Sequence, residues 1–306
     1  NLSEGDEILL TQVEHHANLL PWQRVARQVG ARLRFIEINP DDYSLKTDCE
    51  NIINSKTKLV AVTHSSNVLG DVWGNGQLEK LIEDAHSVGA MVLLDGAQSV
   101  PHHKIDLQKL NPDFFVCSGH KMGGPTGVGV LYIKKSLHEK LEPYRFGGAM
   151  VYEVNFENAT WAPAPQKFEA GTPPIAQVIG LAEAVKFTGK HLDFDEQQKH
   201  EANLCSVFID ELSRIDGLKI IGNKDKLKKT GHLVTFVVEA IHAHDVAGYV
   251  SSKGVAVRAG HHCTQPLHKL LDIEASVRAS FYAYNTLEDV TKCVEALKEA
   301  IVIFRK

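Results

Sequence analysis

The sequence predicts an α/β protein in which a mostly parallel β-sheet in a large domain is followed by a smaller C-terminal α+β domain. Three observations carry this expectation. Short apolar runs recur up to Tyr132, as in strands buried on both faces. Helical patterns lie between several of these runs, and that alternation implies crossover units and a parallel sheet. After Tyr132 the rhythm changes, and the remainder mixes longer helical patterns with isolated strands.

Taken in order, the expected strands of the large domain are Glu7–Leu10, Leu33–Ile38, Leu59–Val62, Met91–Leu94, Phe114–Val116 and Val128–Tyr132. Helical patterns fall at Leu20–Gly30, Asp48–Asn54 and Leu78–Gly89. Gly30 and Gly89 stand where helices should end, each just before a new strand. A long irregular stretch, Arg145–Pro174, holds Gly147-Gly148, Trp161 and several prolines, and loops of that length inside a compact domain are usually functional. A helical pattern from Ile175 continues through a charged segment to about Arg214. The smaller domain would hold strands at Leu218–Ile221, His232–Val238 and Val255–Arg258, with helices at His244–Lys253 and Leu287–Phe304. The expected division is residues 1–188 and 189–306, with the boundary inside the helical region.

Bulk properties narrow the function classes. A net charge of −5 with no basic stripe argues against a nucleic-acid or anionic-membrane partner. No apolar run reaches the roughly 18 residues that span a bilayer, and Asn1–Leu10 has no basic or apolar leader region. The cysteines, at 49, 117, 205, 263 and 293, are odd in number and widely scattered, which fits a reducing compartment better than a disulfide framework. The expected location is the cytoplasm, and the expected ligands are small molecules.

In a parallel sheet, ligands bind beyond the carboxyl ends of the strands, so the polar residues there are the site candidates. Phe114-Phe115-Val116-Cys117-Ser118-Gly119-His120-Lys121-Met122-Gly123-Gly124 places a lysine in a glycine-rich turn after a buried strand. That setting suits either a solvated turn lysine or one with a depressed pKa and Schiff-base chemistry. It is not a nucleotide phosphate loop, because the lysine precedes the glycines. Asp95 ends a continuous apolar strand, where an unpaired charge is expensive; it is either a turn aspartate or the partner of a protonated pyridine nitrogen. Glu14-His15-His16-Ala17-Asn18 follows the first strand, and adjacent histidines point in different directions, so metal is not expected. Asn67 follows another strand and could donate to a ligand or cap a turn. Cys263 lies in the histidine- and glycine-rich segment Arg258–Leu267, whose surroundings can favour a thiolate. Arg278, in Ser276–Phe281, is placed to clamp a carboxylate or to form a structural ion pair.

Together these segments resemble a known family. Glu14-His15-His16-Ala17-Asn18, Asn67-Val68-Leu69-Gly70, Asp95-Gly96-Ala97-Gln98, Ser118-Gly119-His120-Lys121, Phe168-Glu169-Ala170-Gly171-Thr172-Pro173, Arg258-Ala259-Gly260-His261-His262-Cys263 and Arg278-Ala279-Ser280 run in family order along nearly the whole chain. The chain resembles a cysteine desulfurase of the class-V aminotransferase group. It is most similar to the branch that holds the SUF-pathway desulfurases and the cysteine sulfinate desulfinases. The resemblance implies fold type I of the pyridoxal-phosphate (PLP) enzymes and PLP as cofactor. It makes Lys121 the Schiff-base lysine, Asp95 the partner of the pyridine nitrogen, His15 the residue stacked on the ring and Gln98 a donor to the phenolic oxygen. Ser118 and His120 would hold the phosphate, with Thr172 reaching across from the second subunit of a homodimer. Asn67 and Arg278 would bind the carboxylate of L-cysteine or a related amino acid. Cys263 would take the sulfur as a persulfide, leave alanine as product and pass the sulfur to an acceptor protein, as in iron–sulfur cluster assembly.

Departures from the family pattern accompany the match. Met122-Gly123 stand where a larger residue is usual before Gly124, and Pro174 replaces an asparagine after Thr172-Pro173. The family's opening stretch, with a phosphate-binding turn at a helix N-terminus, is absent from these residues. The expectation is therefore a piece of a longer protein that binds PLP weakly on its own. Rival readings are another class-V activity, such as an aminotransferase or β-lyase, and a cofactor-free partner that keeps the fold.

Overall fold

Each apolar run in the first half of the chain forms a strand, and the charged, periodic segments between them form helices on both faces of the resulting sheet. The structure, a computed structural model, describes residues 2–46 and 52–305. Its first half runs β1 (Glu7–Thr11), α1 (Leu20–Val29), β2 (Arg32–Ile36), β3 (Thr57–Thr63), α2 (Gln77–Ser87), β4 (Met91–Asp95), α3 (Leu107–Leu110), β5 (Phe114–Ser118) and β6 (Gly129–Ile133). The strands lie in the order β2-β1-β3-β4-β5-β6. All neighbours are parallel except β5 and β6, which pair antiparallel at the edge. Thr63 stands opposite Asp95, and Asp95 opposite Val116, so β3, β4 and β5 end side by side.

Alternation along the strands builds two apolar layers. Leu9, Val60, Val62, Val92 and Leu94 pack with Leu78, Leu81, Ile82 and Ala85 of α2. Ile8, Leu10, Leu59 and Ala61 point the other way, toward Leu19 and Ala26 at α1. Gly30 closes α1 in the left-handed region at φ 75°, as a glycine does without steric cost. Of the expected Asp48–Asn54 helix, Asp48–Asn51 lie outside the described residues, and Ile52–Asn54 are not helical.

The second half differs from the sequence expectation in three places. The stretch 145–174 contains a hairpin, β7 (Val151–Val154) and β8 (Ala159–Trp161), whose turn is closed by Asn155 Oδ1 accepting from the amides of Glu157 and Asn158. The run from Ile175 to Arg214 is two helices, α4 (Ile175–His191) and α5 (Phe194–Leu212). Asp193 separates them, extended at φ −86°, ψ 117° and capping α5 by accepting from Asp195 and Glu196. After β9 (Leu218–Ile221), α6 (Lys224–Thr230), β10 (Leu233–Val238) and α7 (Ala243–Ser252), the strand expected at Val255–Arg258 forms instead as β11 (Arg258–Gly260). Val255 and Val257 spend their side chains on core packing rather than on a ladder. The chain ends with α8 (Gln265–Leu270), β12 (Ser276–Ser280) and α9 (Leu287–Phe304).

This second sheet, β11-β12-β10-β9, is antiparallel throughout. Phe208 of α5, Phe236 of β10, Val246 of α7 and Leu297 of α9 form its own core. It meets the large sheet through Ile221 and Val237, which join that sheet's apolar layer, and through polar contacts: Thr235 Oγ1 donates to the Val68 carbonyl at 2.7 Å and Arg278 Nη1 to the Asn67 carbonyl at 2.8 Å. The site lies where those two sheets meet.

Candidate active site

The aligned ends of β3, β4 and β5 form the floor of a cavity of about 170 Å³, lined by His15, Ser65, Asn67, Asp95, Gln98, Ser118 and Lys121. Each side chain arrives for a local reason. Asp95 is the last residue of β4, and its Oδ1 accepts from the Ala97 amide at 2.9 Å. The next residue must be glycine, because a Cβ on Gly96 would sit 2.1 Å from the Phe115 ring. Lys121 sits in the single turn Gly119–Met122 that follows β5. A neighbouring cavity of about 310 Å³ shares Gln98 and Lys121 and adds His120, Arg278, His102 and His232.

Charge and burial shape these groups. Burial lowers the Lys121 pKa, with Arg278 and Arg258 pushing the same way and Asp95 opposing them. A lysine so placed releases its proton more readily than a solvated one, which suits a nucleophilic amine. His15 is also lowered, by burial and by Lys121. Its Nδ1 accepts from the Ala17 amide at 3.0 Å, so the ring carries its proton on Nε2. Beneath it, Glu14 is buried and accepts from Thr11 Oγ1 at 2.6 Å, Asn18 Nδ2 at 2.7 Å and the Thr63 amide at 2.9 Å. Burial raises its pKa to about 7 against those three donors.

Cys263 stands at the edge of this arrangement. It lines neither cavity, but its turn is fastened to the wall. Asn67 Nδ2 donates to the His262 carbonyl at 2.6 Å, Thr264 Oγ1 donates to Asn67 Oδ1 at 3.2 Å, and the His16 amide donates to the Cys263 carbonyl at 2.7 Å. The thiol is half-buried, with Arg258 Nη2 3.8 Å from Sγ. The other described cysteines sit in poorer settings for a thiolate. Burial raises Cys117, pushes Cys293 up to about 12 and holds Cys205 well above the usual thiol range.

The cavities thus gather His15, Asn67, Asp95, Gln98, Ser118, His120, Lys121 and Arg278. Cys263 is next to them, and Thr172 is apart, exposed on the loop before α4. Asn67 commits one Nδ2 hydrogen and one Oδ1 lone pair to the Cys263 turn, a use that the sequence did not suggest. Sequence reasoning also gave no role to Glu14, Ser65 or Arg258. For Glu14 a signal existed, a carboxylate directly after an apolar strand. Ser65 and Arg258 carried none, since their places depend on distant segments.

The residues fit a flat, anionic aromatic cofactor. Ser65 Oγ is buried in the first cavity without a hydrogen-bond partner among the described residues, so a polar group from a ligand would satisfy it. Asp95 offers a carboxylate to a protonated ring nitrogen, while Ser118, His120 and Gln98 offer polar groups for a phosphate and a ring oxygen. Ala97, Val116 and Cys117 supply apolar walls. Among the described residues, no group of three histidine, cysteine or acidic side chains is placed to hold a metal ion.

The family model for class-V aminotransferases matches residues 1–293. A probable cysteine desulfurase of Halalkalibacterium halodurans is 49% identical over 299 residues, which is 98% of this chain and 72% of that protein. One from Staphylococcus aureus strain COL is 48% identical over 304 residues, 99% of this chain and 72% of the relative. Among solved structures, the cysteine desulfurase CsdA from Escherichia coli superposes with a TM-score of 0.93 at 37% identity, covering 99% of this chain and 74% of that one. A cysteine desulfurase from Thermococcus onnurineus NA1 gives 0.92 at 36% identity, covering 98% and 74%. The cystine C-S lyase C-DES, at 22% identity and a TM-score of 0.82, shares the fold. The chain belongs to the class-V aminotransferase family, within its cysteine desulfurase branch.

Proposed function

We propose that this chain is a PLP-dependent cysteine desulfurase that takes the sulfur of L-cysteine onto Cys263 and releases alanine. The observation that carries the reading is the joining of three chemistries in one place: a desolvated amine (Lys121), a buried carboxylate facing the same cavity (Asp95) and a thiol turn clasped to that cavity's wall by Asn67. When bound, PLP supplies an electron sink for carbanion chemistry at the substrate. The chain's residues do the rest. Lys121 would anchor the cofactor, and its amine would carry the proton leaving the substrate Cα. Asp95 would keep the ring nitrogen protonated, and His15 would stack on the ring. Gln98 would bind the ring oxygen, while Ser118 and His120 would hold the phosphate. Arg278, whose pKa burial lowers only to about 10, keeps its charge at neutral pH and pairs with the substrate carboxylate; Asn67 closes that end. The Cys263 thiolate forms an S–S bond to the substrate sulfur as the Cβ–S bond breaks; the electron pair stays with the carbon fragment, which leaves as alanine after protonation. Cysteine sulfinate and selenocysteine present the same amino-acid end and fit the same carboxylate clamp.

Several further features belong to this reading. Val130 and Leu131 of β6, Val178, Ile179 and Phe187 of α4, and Tyr152 and Val154 of the β7–β8 hairpin are exposed, which supports a homodimer in which Thr172 completes the partner's phosphate site. A persulfide on a half-buried thiol suits hand-over to an acceptor protein, in a reducing, cytoplasmic setting. Among the described residues, no helix is long and apolar enough to cross a membrane. The division at residue 188 falls within α4, and the core of the second sheet is drawn from residues after it.

Two variants test the reading. Lys121→Ala should lose both alanine release from cysteine and the visible absorbance of protein-linked PLP. Cys263→Ala should keep that absorbance and lose alanine release by at least about a hundredfold. Full turnover by Cys263→Ala would favour another class-V lyase.

A further inference from the structure

Ser276 opens β12 and is fully buried, with Oγ 3.0 Å from His262 Nε2 and 2.8 Å from His268 Nε2. On the other side of His268, Nδ1 lies 3.1 Å from the Thr264 carbonyl oxygen. A carbonyl only accepts, so His268 Nδ1 carries a proton. Burial disfavours the charged ring, so His268 is neutral and its Nε2 accepts. The single hydroxyl proton of Ser276 therefore goes to His268. His262 must then donate from Nε2 to Ser276 Oγ, which leaves its Nδ1 bare; that atom is buried without a partner among the described residues. The hydrogen bonds run in one direction only, from His262 through Ser276 and His268 to the Thr264 carbonyl.

The chain brackets the reactive thiol. His262 and Cys263 both have left-handed backbones, at φ 53° and 58°. Such a conformation costs a non-glycine residue about 1 kcal/mol or more. Two consecutive ones persist only where the surroundings hold them. Asn67 and His16 bind the carbonyls of His262 and Cys263, and His16 Nε2 accepts from the Gln265 amide at 3.2 Å. Ser276 and His268 supply the remaining anchors, fixing the His262 ring before Cys263 and the Thr264 carbonyl after it.

We propose that Ser276 and His268 are positioning residues for sulfur transfer: their one-way hydrogen-bond chain locks the His262–Cys263 turn and so aims the thiol at the substrate sulfur. This rests on Cys263 as the sulfur acceptor, and it adds two residues that touch neither substrate nor cofactor.

The first test needs no variant. In the intact protein, imidazole ¹⁵N shifts should report His262 protonated on Nε2 and His268 on Nδ1. The opposite tautomer at either ring overturns the chain. The second test is kinetic. Ser276→Ala, in PLP-loaded enzyme, should lower kcat for cysteine about tenfold or more, as misplaced reacting groups do, with KM within about twofold. Ser276→Thr, which keeps the hydroxyl, should show a smaller loss than Ser276→Ala, and His262 in Ser276→Ala should lose its Nε2–H signature. Wild-type kcat in Ser276→Ala overturns the proposal. If Cys263→Ala keeps full turnover, the acceptor reading itself fails, whereas the tautomer measurement still judges the chain of hydrogen bonds.

Discussion

Glu14 shows how much of this site rests on one buried side chain. Its carboxyl ties together the end of β1, the turn bearing His15 and the last residue of β3 through three donors. Glu14→Ala would leave those donors buried and unpaired, at about 1–3 kcal/mol for such a group. The expected outcome is a loss of about 3 kcal/mol in urea unfolding, together with weaker PLP binding through His15. Retention of wild-type stability would show that water replaces the carboxyl. At this scale, Lys121 and Asp95 were legible as candidates, because Asp95 ends an apolar run and Lys121 follows one in a turn, where a charged residue needs a purpose. Asn67 was legible as a strand-end polar residue but not in its partner, since His262 lies 195 residues further along the chain. Arg258 and Ser276 stood inside segments already singled out by sequence, but nothing marked their own roles, because a polar residue in a short strand shows its role only when a distant segment is folded against it.

Among the elements, the first half of the chain was readable and the second less so. Buried parallel strands such as β3 and β4 advertise themselves as continuous apolar runs, and Gly30 marked the end of α1. The junction of α4 and α5 was missed because Leu192-Asp193 breaks no hydrophobic pattern; an aspartate is as much at home on a charged helix face as at a cap. Only its extended backbone, with Oδ1 accepting from two amides, reveals the cap. Asp193→Ala should cost about 1 kcal/mol, the usual value of an N-cap, measured as a lower urea midpoint with unchanged slope. A change within 0.3 kcal/mol would indicate that packing of α5 alone sets the break. The shift of β11 toward Gly260 has a similar origin, for Val255 and Val257 read as strand residues but are held by the core of the second sheet.

For the molecule as a whole, buried histidines set the response to acid. Burial lowers His64 to about 4, His262 to about 3 and His232 well below the usual range. Both ring nitrogens of His232 lack hydrogen-bond partners among the described residues. Between the ordinary histidine value near 6.5 and these folded values, the unfolded chain binds protons that the folded one excludes. Stability is therefore present above about pH 6.5 and is lost as pH falls below it. Glu14 acts oppositely, since its raised pKa favours the folded state as pH falls below about 7, but it is one group against these three and the likewise lowered His15 and His268. The melting temperature should fall between pH 7.5 and 5, and His232→Leu should flatten that slope; a melting temperature that rises toward pH 5 would contradict the balance.

The central claim is that two sheets meet to bring an amine, a carboxylate and a thiol to one amino acid. Its most direct measurement is peptide mass spectrometry of the PLP-loaded protein after brief exposure to L-cysteine without reductant, with alanine quantified in parallel. The account predicts one additional sulfur atom on the peptide holding Cys263, formed in step with alanine. Alanine release with that sulfur absent from Cys263, or carried by Cys117 instead, would contradict it.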